Sequence, residues 1–345
     1  MKENFWRNLK QIVSARAVGE PIMMLAPMAD VTDAAFRRII AKYGKPDAMW
    51  TEFVSADGLC HPVGREKLLV DLSYTEAERP IVAQLFSGRP EKMFEAAKLV
   101  KELGFDGLDI NMGCPDRSIE KSGAGAALMK NPKLARQIIR AAKEGAGNLP
   151  VSVKTRIGYN KNELDKWLPE LLAEEPAMVT IHARTRKEMS DVPARWEEVK
   201  RAVEIRDGLK SKTLIFGNGD VIDLEDARAK ARASGADGVM LGRAIFGNPF
   251  LFAGLNNPDH SELKKVVSPE TRLRVMLEHT KLFAKLFLNT KDKSRANIKN
   301  FAVMKKHYKA YVNGWDGAKE LRVRLMEAET VQDVENLVGN YLESL

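Results

Sequence analysis

Between residues 22 and 250 the chain alternates short apolar runs with segments of helical period, and it does so eight times. The runs cover residues 22–26, 48–53, 81–86, 107–110, 151–155, 178–182, 213–216 and 238–241. Strands that are apolar on both faces and separated by helices belong to parallel sheets, because each parallel crossover lays a helix against the sheet. The intervening segments fit that role: residues 33–43 carry Ala34, Phe36, Ile39 and Ile40 at helical spacing, and residues 91–103 carry Met93, Phe94, Ala97, Leu99 and Val100. Pro90, Glu91 and Pro132 stand where helices start, and Gly44 and Gly104 where they stop. Eight such units predict a closed (β/α)8 TIM barrel. An open doubly wound sheet is the alternative, but a dinucleotide fold carries G-x-G-x-x-G after its first strand, and the turn here is Ala26-Pro27-Met28-Ala29-Asp30.

A barrel gathers the carboxyl ends of its strands around one mouth, where its reactive groups stand. In order these ends supply Pro27 and Met28, Glu52, Gln84, Asn111 with Cys114, Lys154 with Arg156, His182, Asn218-Gly219-Asp220 and Gly242-Arg243. Any one of these side chains, taken alone, reads more simply as a loop group bonding its own backbone; as a set they point to convergence on one site. The turns after the seventh and eighth runs stand where barrels bind phosphate, with glycine N–H groups for the oxygens and Arg243 for the charge. Lys154 is placed to stabilise negative charge on a ring or enolate, and Gln84 to meet the amide edge of a flat heterocycle. His182 reads equally well as a ligand to such a ring or as a structural imidazole. Cys114 reads as a nucleophile, a general acid or an inert buried thiol; with a thiol pKa of about 8.5 the acid role is favoured. Cys60 reads as incidental.

A chain of 345 residues exceeds the roughly 250 of a typical barrel, which predicts three parts: an N-terminal extension over 1–20, a catalytic barrel over 21–257 and a helical domain over 258–345. Helices are expected over 269–288, 297–312, 317–328 and 331–345, with connections at 291–293 and 313–314. The first twenty residues lack the apolar block of a secretion signal, and no apolar run reaches the roughly 20 residues of a membrane span, so a cytoplasmic protein without a membrane partner is expected. Two cysteines in unlike contexts predict free thiols and no metal. Net charge is +8, yet residues 281–324 alone hold twelve Lys/Arg against three acids. A near-neutral barrel with a basic appendage suits a polyanion such as nucleic acid, although a solvated lysine face reads equally well from charge alone.

Nine segments in fixed order then carry a resemblance. They are Ala26-Pro27-Met28-Ala29-Asp30-Val31-Thr32-Asp33, Thr51-Glu52-Phe53-Val54-Ser55-Ala56, Gln84-Leu85-Phe86, Asn111-Met112-Gly113-Cys114-Pro115, Gly123-Ala124-Gly125-Ala126-Ala127-Leu128-Met129, Val153-Lys154-Thr155-Arg156-Ile157-Gly158, Ile181-His182-Ala183-Arg184-Thr185, Gly217-Asn218-Gly219-Asp220 and Leu241-Gly242-Arg243-Ala244. Together they resemble the tRNA-dihydrouridine synthases, and Met304-Lys305-Lys306-His307 and Gly317-Ala318-Lys319-Glu320-Leu321-Arg322 look like that family's tRNA-binding helices. The resemblance implies an enzyme with bound FMN and NADPH as a visiting reductant, which reduces the C5=C6 bond of particular uridines in tRNA; a monomer is expected. Carried over by position, Pro27, Met28, Ala29, Gln84, Lys154, His182, Asn218, Gly219, Asp220, Gly242 and Arg243 would hold FMN. Cys114 would be the catalytic acid, and Asn111 and Arg156 are expected to grip the uracil edge. Two other classes stand beside it: a flavin-dependent reductase of free pyrimidines or small enones, which shares the barrel and thiol acid but needs no basic domain, and an RNA-binding protein with an inactive barrel, which Cys114 and Lys154 disfavour. The segment 187–196 is less regular than the family's usual sixth loop.

Overall fold

Eight parallel strands close on themselves in sequence order: β1 (Ile22–Leu25), β2 (Ala48–Ser55), β3 (Ile81–Phe86), β4 (Gly107–Met112), β5 (Val151–Arg156), β6 (Met178–His182), β7 (Leu214–Asn218) and β8 (Gly238–Leu241). Pairing of Ile22 with Gly238 and of Leu25 with Leu241 seals the circle, so the open-sheet alternative is excluded. The computed structural model describes residues 20–255, 267–288 and 298–344. The expected extension, except for Glu20, the boundary at 257/258 and the connection at 291–293 therefore lie outside the described residues.

Side chains alternate across a strand, and in a closed barrel one set fills the interior while the other meets the helices. The interior set forms one fully buried cluster of Ile22, Met24, Ala26, Ala48, Trp50, Val82, Met178, Phe216 and Met240. Packing is tight enough that a Cβ at Gly238 would stand 1.9 Å from the Phe216 ring, which makes glycine obligatory there.

The helices that follow the strands are α1 (Ala34–Tyr43), α2 (Ala56–Leu59), α3 (Pro62–Leu68), α4 (Pro90–Glu102), α5 (Arg117–Lys121), α6 (Pro132–Ala146), α7 (Leu164–Leu172), α8 (Trp196–Gly208) and α9 (Leu224–Ser234). Pro90 and Pro132 occupy the first helical turn of α4 and α6, where a missing N–H costs nothing. Asp33, Asn131 and Asp223 cap α1, α6 and α9 by accepting backbone N–H bonds.

By density of internal contacts the chain forms two compact units: residues 20–28, 47–72 and 79–243, and residues 29–46, 73–78 and the described chain from 244 onward. The second contains α10 (Pro269–Phe287), α11 (Val303–Tyr311), α12 (Ala318–Glu327) and α13 (Val331–Glu343), together with α1. Within it, Phe36 of α1 lies 5.5 Å from the ring of His279 and 5.2 Å from that of His307. Arg37 is fully buried and donates to Glu78 at 2.9 Å and to the Thr32 carbonyl at 2.7 Å. Lys42 and Tyr43 donate to Glu278 at 2.7 and 2.6 Å. Of Phe301, Met304, Tyr308 and Val312, which share a helical spacing, the last three are buried and Phe301 is half-buried, while Lys306 and Lys309 are exposed. The helix expected from 297 begins at Val303 among the described residues, after a bend at 298–299 and a turn at 301–302.

Candidate active site

Continuing the interior parity up each strand reaches the mouth. Val82 leads to Gln84, Met178 through Thr180 to His182, Phe216 to Asn218 and Met240 to Gly242, while β4 contributes Asp109 and Asn111 and β5 contributes Ser152, Lys154 and Arg156 on the same face. Strand register makes these residues neighbours in layers: Gln84 opposite Asp109 opposite Ser152, then Asn111 opposite Lys154 opposite Thr180, then Arg156 opposite His182 opposite Asn218. At Gln84 the pairing of β2 with β3 shifts register after Trp50, and the Gln84 N–H donates instead to the Thr51 hydroxyl at 3.1 Å. Glu52, buried, falls within the same irregularity.

The Cys114 turn is tied down at several points. Asn111 Oδ1 accepts the N–H of Gly113 at 3.1 Å and that of Cys114 at 2.9 Å. Arg156 Nε donates to the Gly113 carbonyl at 2.9 Å, and Ala126 N–H to the Cys114 carbonyl at 2.9 Å. Two glycines sit tightly here, and Gly125 is required. A Cβ at Gly113 would press on the Thr155 backbone at 3.1 Å, and one at Gly125, where φ is +59°, would stand 2.9 Å from the Cys114 carbonyl oxygen. Burial pushes the Cys114 thiol up, opposed by the Asp116 N–H and by the Arg156 and Lys154 cations.

The far side of the mouth is cationic. Lys154 donates to Asn218 Oδ1 at 3.3 Å, and Asn218 Nδ2 to the Met240 carbonyl at 2.7 Å. Burial first and the Arg156 charge second bring the Lys154 ammonium down to about 8. Burial lowers Arg156 to about 10, so it keeps its charge at neutral pH. His182 is driven well below its ordinary value by burial and then by Arg156, Lys154, Arg184 and Arg243, and is therefore neutral. Since Arg184 Nη1, which can only donate, stands 3.2 Å from His182 Nε2, the ring's own proton sits on Nδ1.

Asp220, with φ of +48°, accepts from Arg184, from Arg243 at 2.6 Å and from the Ala194 N–H at 2.8 Å. Those bonds, Arg184's first, hold its carboxyl below the usual range. Gly219, with φ of +120°, sits where a Cβ would press within 3.1 Å of the His182 ring. At Gly242, by contrast, a Cβ would meet only ordinary contacts, with Met28 Sδ at 3.6 Å, so that glycine relieves no clash and a Cβ would fit. Pro27 and Met28 are half-buried; Ala29 is exposed and opens the segment that packs in the second unit.

The loop over 187–196 is braced by Glu188, which accepts both Arg195 amines at 2.8 Å and the Thr185 N–H at 2.8 Å, and whose carboxyl Arg195 holds at about 2. Two residues of this site were given no role from sequence. Asp109 bonds Gln84 and Ser152 beneath the mouth, and Arg184 joins His182 to Asp220. Each carries a weak signal: a charge inside or two residues beyond an apolar strand. Asn111 and Arg156 face the mouth as expected, but much of their bonding capacity is spent on the Cys114 turn and on the Thr185 and Met189 carbonyls.

Cys60 and Cys114 are free thiols. Among the described residues no cluster of three or more His, Cys, Asp or Glu could hold a metal, and no helix is long and apolar enough to cross a membrane.

Residues 24–344 match the dihydrouridine synthase (Dus) family. A probable tRNA-dihydrouridine synthase of Staphylococcus aureus (strain COL) is 38% identical over 342 residues, covering 99% of this chain and 96% of the relative. Probable tRNA-dihydrouridine synthase 2 of Bacillus subtilis (strain 168) is 37% identical over 343 residues, covering 99% and 97%. Among solved structures, histamine dehydrogenase from Rhizobium sp. 4-9 superposes with a TM-score of 0.54 at 12% identity, over 76% of this chain and 49% of that one, a likeness of fold alone.

Proposed function

The chain belongs to the dihydrouridine synthase family, and we propose that it reduces the C5=C6 bond of particular uridines in tRNA, with FMN bound in the barrel mouth and NADPH as the transient reductant. One observation carries this reading. A single inward face, apolar below, becomes a layer of cations, amides and a neutral imidazole above, and it ends beside a thiol on a braced turn.

The donor set suits a phosphorylated flavin. Lys154, Arg156 and Arg243 offer positive charge, and the Thr180 hydroxyl, buried in the layer of Lys154, bonds no described residue. Gln84, Lys154, His182, Asn218, Gly219, Asp220, Gly242 and Arg243 would hold the cofactor with the Pro27-Met28-Ala29 turn, Arg243 and the Asn218-Gly219-Asp220 turn meeting its phosphate. His182 Nδ1–H would donate to the ring system without adding charge. When bound, FMN supplies the hydride that adds at C6 of the uracil.

The protein supplies the proton. With its pKa raised by burial, the Cys114 thiol stays protonated at neutral pH and is a competent donor to C5. Arg156 Nη2 and the remaining hydrogen of Asn111 Nδ2 would meet the uracil edge while the rest of those side chains hold the turn. A base in folded RNA reaches this mouth only when flipped out of its stack, and the basic helices after the barrel are the surface that would hold the RNA meanwhile.

The test is direct. The purified protein should be yellow and should convert uridine to dihydrouridine in transcripts of the host's tRNAs with NADPH. A colourless protein that leaves those transcripts unchanged would overturn the reading.

A further inference from the structure

Beneath the thiol turn three side chains, Asp109, Gln84 and Asn111, form a line of hydrogen bonds of one sense that ends on two backbone N–H groups. Asp109, fully buried, accepts from Gln84 Nε2 at 2.6 Å. Gln84 Oε1 accepts from Asn111 Nδ2 at 3.0 Å, and Asn111 Oδ1 accepts from the N–H groups of Gly113 and Cys114 at 3.1 and 2.9 Å. An amide has a donor end and an acceptor end, and nothing in its shape distinguishes them. Direction must come from the ends of the line. At one end a carboxylate can only accept, and at the other two backbone N–H groups can only donate. Turning either amide round would set donor against donor or acceptor against acceptor in a buried place, which is costly.

We infer that Asp109 is a positioning residue for the reaction: by fixing the sense of the Gln84–Asn111 relay, it holds the Asn111 carbonyl on the Cys114 turn and so fixes where the thiol stands. Neither the thiol nor a ligand needs to touch it. The layout of the barrel explains why the relay is possible. Gln84 and Asp109 are register partners on adjacent strands, Asp109 and Asn111 stand two residues apart on one face of β4, and Gly113 and Cys114 follow at the strand's end. Ser152, the register partner of Asp109 on β5, donates its hydroxyl to the other carboxylate oxygen. The catalytic consequence rests on Cys114 being the proton donor; the relay itself does not.

The experiment is amide hydrogen exchange at Gly113 and Cys114 in the purified protein, with the strands β7 and β8 as internal reference, alongside kcat and KM for tRNA. Asp109→Ala removes the acceptor. It should speed exchange of the two turn amides by about tenfold or more, leave the reference strands unchanged, and lower kcat about tenfold with little change in KM. Asp109→Asn is the rescue. Its Oδ1 can still face Gln84 while its amine turns to Ser152, whose hydroxyl accepts as readily as it donates, so turn protection should stay within about threefold of the parent. Gln84→Met cuts the relay one link nearer the turn and should give the same local loss, so the inference is tested even if Asp109→Ala does not fold. Turn amides that exchange as in the parent after either cut, or an Asp109→Asn that loses as much as Asp109→Ala, would overturn it. Because exchange needs no turnover, a protein with the local loss but no uridine reductase activity refutes the proposed reaction and keeps the relay.

Discussion

Burial raises the pKa of both thiols in this chain, Cys60 as well as Cys114, so acidity alone does not single out a catalytic one. The turn does. Cys114 is held at the end of a barrel strand by Asn111, by Ala126 and, through Gly113, by Arg156, whereas Cys60 ends the short helix α2, with its N–H on the Ala56 carbonyl at 3.1 Å and its thiol in one long contact to the Lys92 carbonyl at 3.5 Å. Cys114→Ala should therefore slow uridine reduction by about 10²–10⁴-fold, the usual worth of a positioned acid, while flavin content and tRNA affinity hold. Single-turnover assays with pre-reduced protein would read this, and an undiminished rate would take the proton from elsewhere. With the Cys114 thiol as the proposed proton donor, the rate should hold through neutral pH and fall on the alkaline side as the thiol ionises. That most of the candidate residues reach the barrel mouth could be read from sequence because they occupy strand ends, where position nearly dictates direction. Asp109 and Arg184 could not, since their work is done on other side chains and a sequence does not display partners. For the same reason the bonds that Asn111 and Arg156 make to the Cys114 turn were invisible.

The strands were legible to within a residue or two because each is a short apolar run closed by a turn. In β4, β5 and β7 the longer carboxyl end has one cause: Asn111, Arg156 and Asn218 are polar and look like loop, yet each continues the ladder of its strand. Helical period shows that α1 has an apolar face but not what that face meets, which is why its place among the C-terminal helices could not be foreseen. That face meets two histidines of α10 and α11. The His279 and His307 rings lie 4.7 Å apart, both are fully or almost fully buried, and burial lowers His279 to about 3 and His307 well below its ordinary value. A folded-state pKa depressed below the unfolded 6.5 means that the unfolded chain binds the proton first. The stability contributed by these neutral rings is thus complete above pH 6.5 and lost as pH falls toward the folded values. For His279 alone the loss from pH 7 to pH 5 is about 2 kcal/mol. Urea denaturation followed by helical circular dichroism should show that loss in the parent and a curve flatter by about that amount in His279→Leu; parallel curves would mean that the imidazole is protonated in the folded helices.

For the molecule as a whole, the question is how a nearly neutral barrel finds a polyanion. Removing everything from residue 258 looks like the natural test, but it would strip α1 of the helices it packs with, leaving Phe36 without its histidine partners and Lys42 and Tyr43 without Glu278. A truncated chain that failed to bind tRNA would then report folding rather than recognition. Surface charge offers a cleaner lever. On α11 the buried Met304, His307 and Tyr308 define one arc, and Lys305, Lys306 and Lys309 occupy the other, with Lys306 and Lys309 exposed. Replacing these three lysines by alanine keeps the core and the helix propensity while removing three positive charges. If each neutralises one phosphate, the slope of log binding constant against log salt should become shallower by about 2–3, since each released counterion adds about 0.7–0.9. Affinity should drop most at low salt, and kcat on saturating tRNA should stay close to the parent's, because the proposed chemistry uses residues of the barrel mouth. A triple variant with an unchanged slope would mean that this arc is the solvated face that charge alone could not distinguish from a binding surface, and that another part of the protein grips the RNA.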